Sequence, residues 1–169
     1  MPMSDYVRRM RDAIGTELLL LPSVAMILRD EDERVLLVRD ANHGQWALLG
    51  GGVDPGESPR DAAVREAREE VGVDVELGDV VTALGGSEYE VEYANGDRTA
   101  YVTVVFDGRV AGGELVPDGV EVLEARWFAE ADLPSADLHF FARSALRELG
   151  LLGDTAAPFT PGDAGRSPR

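Results

Sequence analysis

"GGGVDPGESPRDAAVREAREEVGV", residues 50–73, opens on three glycines and a Pro-Gly turn, then sets Arg65, Glu66, Ala67, Arg68, Glu69 and Glu70 in consecutive positions. Its second half reads as a helix: Ser58 suits the N-cap, Pro59 the first helical position, Asp61 the first turn and Gly72 the C-terminal stop. On that helix Glu66, Glu69 and Glu70 (i, i+3, i+4) fall within one sector of roughly 100°. Ala63, Ala67 and Val71 form the neighbouring stripe, with Glu70 at its edge, so part of the acidic cluster turns toward the body of the protein. Like charges at these spacings repel, and burying an unpaired carboxylate costs several kcal/mol. Two readings meet that problem. Arg65 and Arg68 neutralise the cluster, or a hard divalent cation does, Mg²⁺ or Mn²⁺, since such ions prefer oxygen ligands. The glycines let the backbone approach a ligand or metal and expose its carbonyls, and Asp54-Pro55-Gly56-Glu57 suits a tight turn.

Around this stretch, a chain of 169 residues has room for one domain with a sizeable core. It has no cysteine, which excludes disulfides, thiolate chemistry and Cys-based zinc sites. His43 and His139 lie far apart in sequence, which argues against zinc held by histidines alone. The 32 acidic and 16 basic side chains leave a net charge of -16. Such a surface repels phosphate backbones and anionic membranes, so neither nucleic acid nor membrane is an expected partner, and an anionic ligand would need divalent cations to mediate. The acidity also serves solubility. The longest apolar run, Leu18 to Leu28, is too short to span a bilayer and holds Pro22 and Ser23, so it reads as a buried strand in a cytoplasmic protein.

Ser4 to Gly15 reads as a short helix with an apolar stripe of Tyr6, Met10 and Ile14 and a basic set of Arg8, Arg9 and Arg11. The stripe must be covered by its own sheet or by a second subunit whose acidic surface attracts the arginines, and a homodimer is the favoured outcome. "TELLLLPSVAMILRD" and "RVLLVRD" read as a hairpin turning at Asp30 to Glu33. "VDVELGDVVTAL", "SEYEVEYA", "TAYVTVVFDGRV" and "ARWFAEADLP" read as extended, with Asn95-Gly96 as a hairpin turn. Asp137 to Leu152 reads as a closing amphipathic helix. The division is an N-terminal helix at 1–15, a domain at 16–152 and a disordered tail at 153–169, rich in Gly, Pro and small residues. Strands separated by one helix and closed by another predict an α/β fold, a mixed sheet with helices on its faces.

The spacing in residues 50–73 carries a resemblance. Gly51, Glu57, Arg65-Glu66, Ala67, Glu69-Glu70, Gly72 and Val73 fill every fixed position of the Nudix box, with Ala67 small for its apolar slot. "WALLGGGVDPGE" is similar to the entry segment of that family, with Leu49 in place of the usual proline, and the likeness runs over roughly residues 17 to 150. The chain thus resembles the Nudix hydrolases, the MutT-like pyrophosphohydrolases. The resemblance implies an α/β/α sandwich with the catalytic helix packed on one face of a mixed sheet. It implies Mg²⁺- or Mn²⁺-dependent hydrolysis of the pyrophosphate bond of a nucleoside diphosphate linked to a moiety X. Glu66, Glu69 and Glu70 would hold the metal, with the Gly50 carbonyl helping, while Glu57 and Arg65 keep loop and helix in register. The general base would be Glu66 or Glu121, the latter six residues before Trp127, with Asp118 and Glu124 as alternatives on either side. Tyr89 lies where dinucleoside-polyphosphate members carry a substrate-binding tyrosine, although it also alternates with Val91 and Tyr93 as one face of a strand. No proline falls between Pro59 and Pro117, which weighs against the ADP-ribose-cleaving members. Trp46 and Trp127 read as packing anchors, His43 as a loop residue and His139 as a helix-surface residue. The competing expectation is a non-catalytic, nucleotide-sensing Nudix-like domain, a class that usually lacks one or more of the box glutamates.

Overall fold

The apolar run near the N-terminus forms β1 (Leu19–Arg29) at the centre of a seven-stranded mixed sheet, in a computed structural model that describes residues 4–153. The strand order is β3 (Trp46–Ala47), β2 (Val35–Asp40), β1, β6 (Arg98–Gly113), β4 (Val73–Leu84). β5 (Glu90–Glu92) pairs with β6, and β7 (Val122–Phe128) with β2. β1 and β6 run parallel from Leu19↔Thr99 to Arg29↔Arg109, and the other strand pairs are antiparallel. The hairpin between β1 and β2 turns at Asp30, whose carboxylate accepts the Asp32 and Arg34 N–H groups.

From Ser23 to Leu28 β1 is covered on both faces, which accounts for the apolar run there, while Leu20 near its start is exposed. Val24, Met26 and Leu28 meet the helix α2 (Pro59–Val71), while Ile27 joins the cluster around α3 (Phe140–Glu148) on the other face. Each such side chain contributes about 1.5–3 kcal/mol on burial. α2 presents Ala62, Ala63, Ala67 and Val71 to the sheet, all 0% exposed. These small side chains bring the helix backbone close to β1, which is the structural use of the short Ala67.

Several expectations need correction. The closing helix begins at Phe140 and not at Asp137, because residues 137–139 pair with the edge strand β3: Trp46 N–H donates to the Asp137 carbonyl, and His139 N–H to the Trp46 carbonyl. "SEYEVEYA" is not one strand. Ser87–Tyr89 is a 3₁₀ turn and only Glu90–Glu92 is extended. In the N-terminal helix α1 (Asp5–Ile14), capped by the Ser4 side chain, Arg8 and Arg9 are exposed, while the third arginine serves its own chain. Arg11 is buried against its own chain, donating to the Gly15, Glu17 and Arg98 carbonyls and to Thr99 Oγ1. The expected tail lies outside the described residues, save Gly153.

Candidate active site

The site is built by the two ends of the segment 50–73. At the helix start, Ser58 Oγ accepts the Asp61 N–H and the Ser58 hydroxyl donates to the Asp61 carboxylate. At the helix end, Gly72 adopts the left-handed conformation (φ 73°) and the chain passes at once into β4. The orphan carbonyls of that last turn are taken by a distant loop: Val116 N–H donates to Val71 and Asp118 N–H to Glu70, both at 2.9 Å.

Arg65 is the hub. Its Nε and Nη2 donate to the two oxygens of Glu57, each at 2.9 Å, and Nη2 also donates to the Gly52 carbonyl. Nη1 reaches Glu66 Oε1 at 2.9 Å and Glu69 Oε2 at 3.1 Å. One guanidinium therefore ties the glycine loop, the turn and the helix together, and it holds the Glu57 carboxyl below its usual range. Among the described residues no three carboxylate or imidazole groups already converge as a metal cage. Two of the cluster's oxygens instead face Arg65.

Arg65 does not reach Glu70. That side chain is 8% exposed, and its Oε2 is buried without a hydrogen-bond partner. The Gly50 N–H donates to this carboxyl, so Gly50 meets Glu70 through its amide in this structure. Burial first, and then the Glu66 charge, push the Glu70 carboxyl up to about 8. Glu66 is also buried and shifted upward, by burial, with Arg65 opposing and Glu69 and Glu121 adding to the rise. Glu121 thus stands close enough for its charge to act on both. Glu69 is the exposed member, with 60% of its side chain accessible.

The Glu70 shift has a measurable consequence. A carboxyl held at about 8 in the fold, well above the usual carboxylate range, keeps its proton more tightly when folded, so stability is lost as pH rises toward 8. His139, held at about 4 by burial, works in the opposite direction below 6.5. Asp30, Asp40, Glu57 and Asp118 are all shifted downward and titrate below this range. Glu66, shifted upward like Glu70, adds to the loss in the same direction, so the two helix acids dominate between pH 6.5 and 8. Across that window the metal-free protein should lose about 1.5 kcal/mol, which is roughly 3–6 °C in Tm for a chain of this size. Calorimetry in chelator checks this. A flat wild-type Tm, or the same slope in Glu70→Gln, would refute the assignment.

The other sequence candidates are distributed as follows. Glu124 pairs with Arg39 at 3.7 Å, and Asp118 spends its carboxylate on the backbone. Tyr89 is 4% exposed in the cluster on the α3 face, against Phe140 and Phe141, whereas Glu66 and Glu70 lie on the helix of the opposite face. It has no ring face open for a base. Trp46 packs edge-on against Phe128 at 4.8 Å. The two histidines, distant in sequence, are neighbours in space, with rings 5.1 Å apart and His43 Nδ1 3.0 Å from the Asp40 carboxylate. His139 is not on a helix surface but at the N-cap of α3, half-buried beside Phe141. The part of the site that sequence reasoning missed is the backbone binding of Asp118, offered there only as an alternative to Glu121. The Asp-Gly pair at 118–119 was the available signal, since Asp accepts backbone N–H groups of the residues that follow it.

The model of the NUDIX domain family matches residues 19–149. The chain is 32% identical over 109 residues to the "Putative 8-oxo-dGTP diphosphatase" of Bacillus subtilis (strain 168), covering 64% of this chain and 66% of that protein, just under two thirds of its length. It is 36% identical over 112 residues to the nucleoside triphosphatase NudI of Escherichia coli O1:K1 / APEC, covering 64% of this chain and 79% of that one. Among solved structures, an ADP-ribose pyrophosphatase from Streptococcus suis 89-1591 superposes with a TM-score of 0.61 at 29% identity, over 78% of this chain and 87% of that one. With the box filled, the helix in place and the family match spanning sheet and helices alike, the chain belongs to the Nudix hydrolase family.

Proposed function

We propose that this protein hydrolyses the pyrophosphate bond of a nucleoside diphosphate linked to a further group, using Mg²⁺ or Mn²⁺ held by Glu66, Glu69 and Glu70. The observation that carries the proposal is the Glu70 carboxyl: buried beside Glu66, with one oxygen left without a partner. Arg65 answers the charge of Glu66 and Glu69 but leaves that oxygen orphaned, so an unpaired buried acid is retained at a cost in stability. The donor set consists of carboxylate oxygens, in a chain without cysteine, which fits a hard divalent cation. When bound, such an ion neutralises phosphoryl oxygens and lowers the pKa of a coordinated water.

The chain's own residues do the rest. Glu57 and Arg65 fix the loop against the helix, which sets where Gly50 and Glu70 meet. Glu121 or Glu66 takes the proton of the attacking water. Nucleoside triphosphates are the first substrate class to test, because both curated relatives above are named for acting on them. The test is product release from a panel of nucleoside triphosphates, ADP-ribose, dinucleoside polyphosphates, nucleotide sugars and CDP-alcohols, with and without Mg²⁺. Turnover that requires the metal is the expected result. Nucleotide binding without turnover on any member would favour a sensor domain instead.

A further inference from the structure

Asp118 has an unusual number of backbone partners. Its Oδ1 accepts the N–H groups of Val120, Glu121 and Val122 at 3.0, 3.0 and 2.9 Å, and its Oδ2 lies 3.3 Å from the Glu121 nitrogen. Its own N–H donates to the Glu70 carbonyl at 2.9 Å. The Glu121 carbonyl in turn accepts the Ala41 N–H at 2.8 Å, from the end of β2, and Gly119 N–H donates to the Val122 carbonyl. Both backbone groups of Glu121 are therefore held, one by Asp118 and one by the sheet. The same residue that holds the Glu121 amide is bonded to the last turn of the glutamate helix.

We infer that Asp118 is a positioning residue, which fixes Glu121 at a set place opposite Glu66 and Glu70 by tying the 118–122 loop to the C-terminal turn of α2. The inference rests on the proposed role of Glu121 in the reaction. A carboxylate accepting three successive N–H groups removes the freedom of a loop that has only a short stretch of chain between the helix contact and β7. A side chain that must take a proton within hydrogen-bond reach depends on that constraint, because proton transfer falls steeply with misplacement. The loop acid thus acts through Glu121 and does not touch the substrate.

The test uses the full-length protein with Mg²⁺ and the nucleotide of the panel that it turns over fastest. Asp118→Ala should lower kcat by about 10- to 100-fold, the usual range for a group that orients a catalytic residue, with KM changed less than about twofold. Asp118→Asn keeps one oxygen acceptor and should restore most of that loss, while both variants keep a cooperative melt. In a Glu121→Gln background, Asp118→Ala should add little further loss, since the two act on one step. Amide exchange at Val120, Glu121 and Val122, read by NMR without substrate, should rise in Asp118→Ala and not in Asp118→Asn. Wild-type turnover in Asp118→Ala beside an impaired Glu121→Gln would overturn the inference, as would losses that multiply independently in the double variant. Wild-type turnover in Glu121→Gln would remove Glu121 from the reaction, and this inference with it, while leaving hydrolysis by the glutamate helix standing.

Discussion

Glu70→Gln should lower kcat by roughly 10²-fold or more on the best substrate, with folding unharmed. The side chain is isosteric, and its carbonyl oxygen can still accept the Gly50 N–H, so the packing of α2 on β1 is kept. What disappears is a charge in a site where charge is hard to hold. In the wild-type protein the buried Glu70 carboxyl ionises only near pH 8 unless something positive joins it, and Arg65 is already committed to Glu57, Glu66 and Glu69. A divalent ion supplies that partner, and the amide cannot bind it in the same way. Glu69→Gln should give a loss of similar order if the exposed carboxylate swings onto the same ion. Glu124→Gln, which only breaks the ion pair with Arg39, should leave turnover unchanged. Full turnover in Glu70→Gln would show that the helix acids are not the metal site.

That part of the site was legible because its determinants are local. The N-cap, the N1 proline, the left-handed Gly72 and the glutamate sector all depend on contacts within one or two helical turns. The Glu57–Arg65 pair is nearly as local, spanning eight residues across a single turn and helix start. The misreadings share the opposite property. Residues 137–139 are extended because Trp46 pairs with them across most of the chain, and no propensity in "DLHFF" announces that partner. Tyr89 follows the alternation of a strand, yet the 3₁₀ turn after Gly86 turns its ring into the α3 cluster, where Phe140 and Phe141 complete its packing. The two histidines meet for the same reason, since one caps the helix that the edge strand positions. Asp118 was visible as an acid near the strand β7, but its role depends on the Glu70 carbonyl, which only the folded helix end presents.

Gly50→Ala should destabilise the protein by about 3 kcal/mol or more, which is roughly 6–12 °C in Tm for a chain of this length. The glycine loop was read from sequence as room for a ligand or metal, yet the close approach here is to β1. A Cβ on Gly50 would lie 2.2 Å from the Val24 carbonyl oxygen and 2.7 Å from the Ala25 Cα, both backbone atoms of the central strand. Neither can move without disturbing the bonds that join loop and strand, Val24 N–H to the Gly51 carbonyl and Met26 N–H to the Leu49 carbonyl. The φ of 151° adds strain of its own for a side chain. Gly56 provides the control: its φ is 89°, but a Cβ there meets nothing within 4 Å. Gly56→Ala should therefore cost only about 1 kcal/mol of backbone strain. Thermal melts of the two variants in chelator separate the clash from the strain, and equal Tm values would show that the loop yields without resistance. Turnover should fall with stability in Gly50→Ala alone, because the amide that the clash displaces is the one bonded to Glu70.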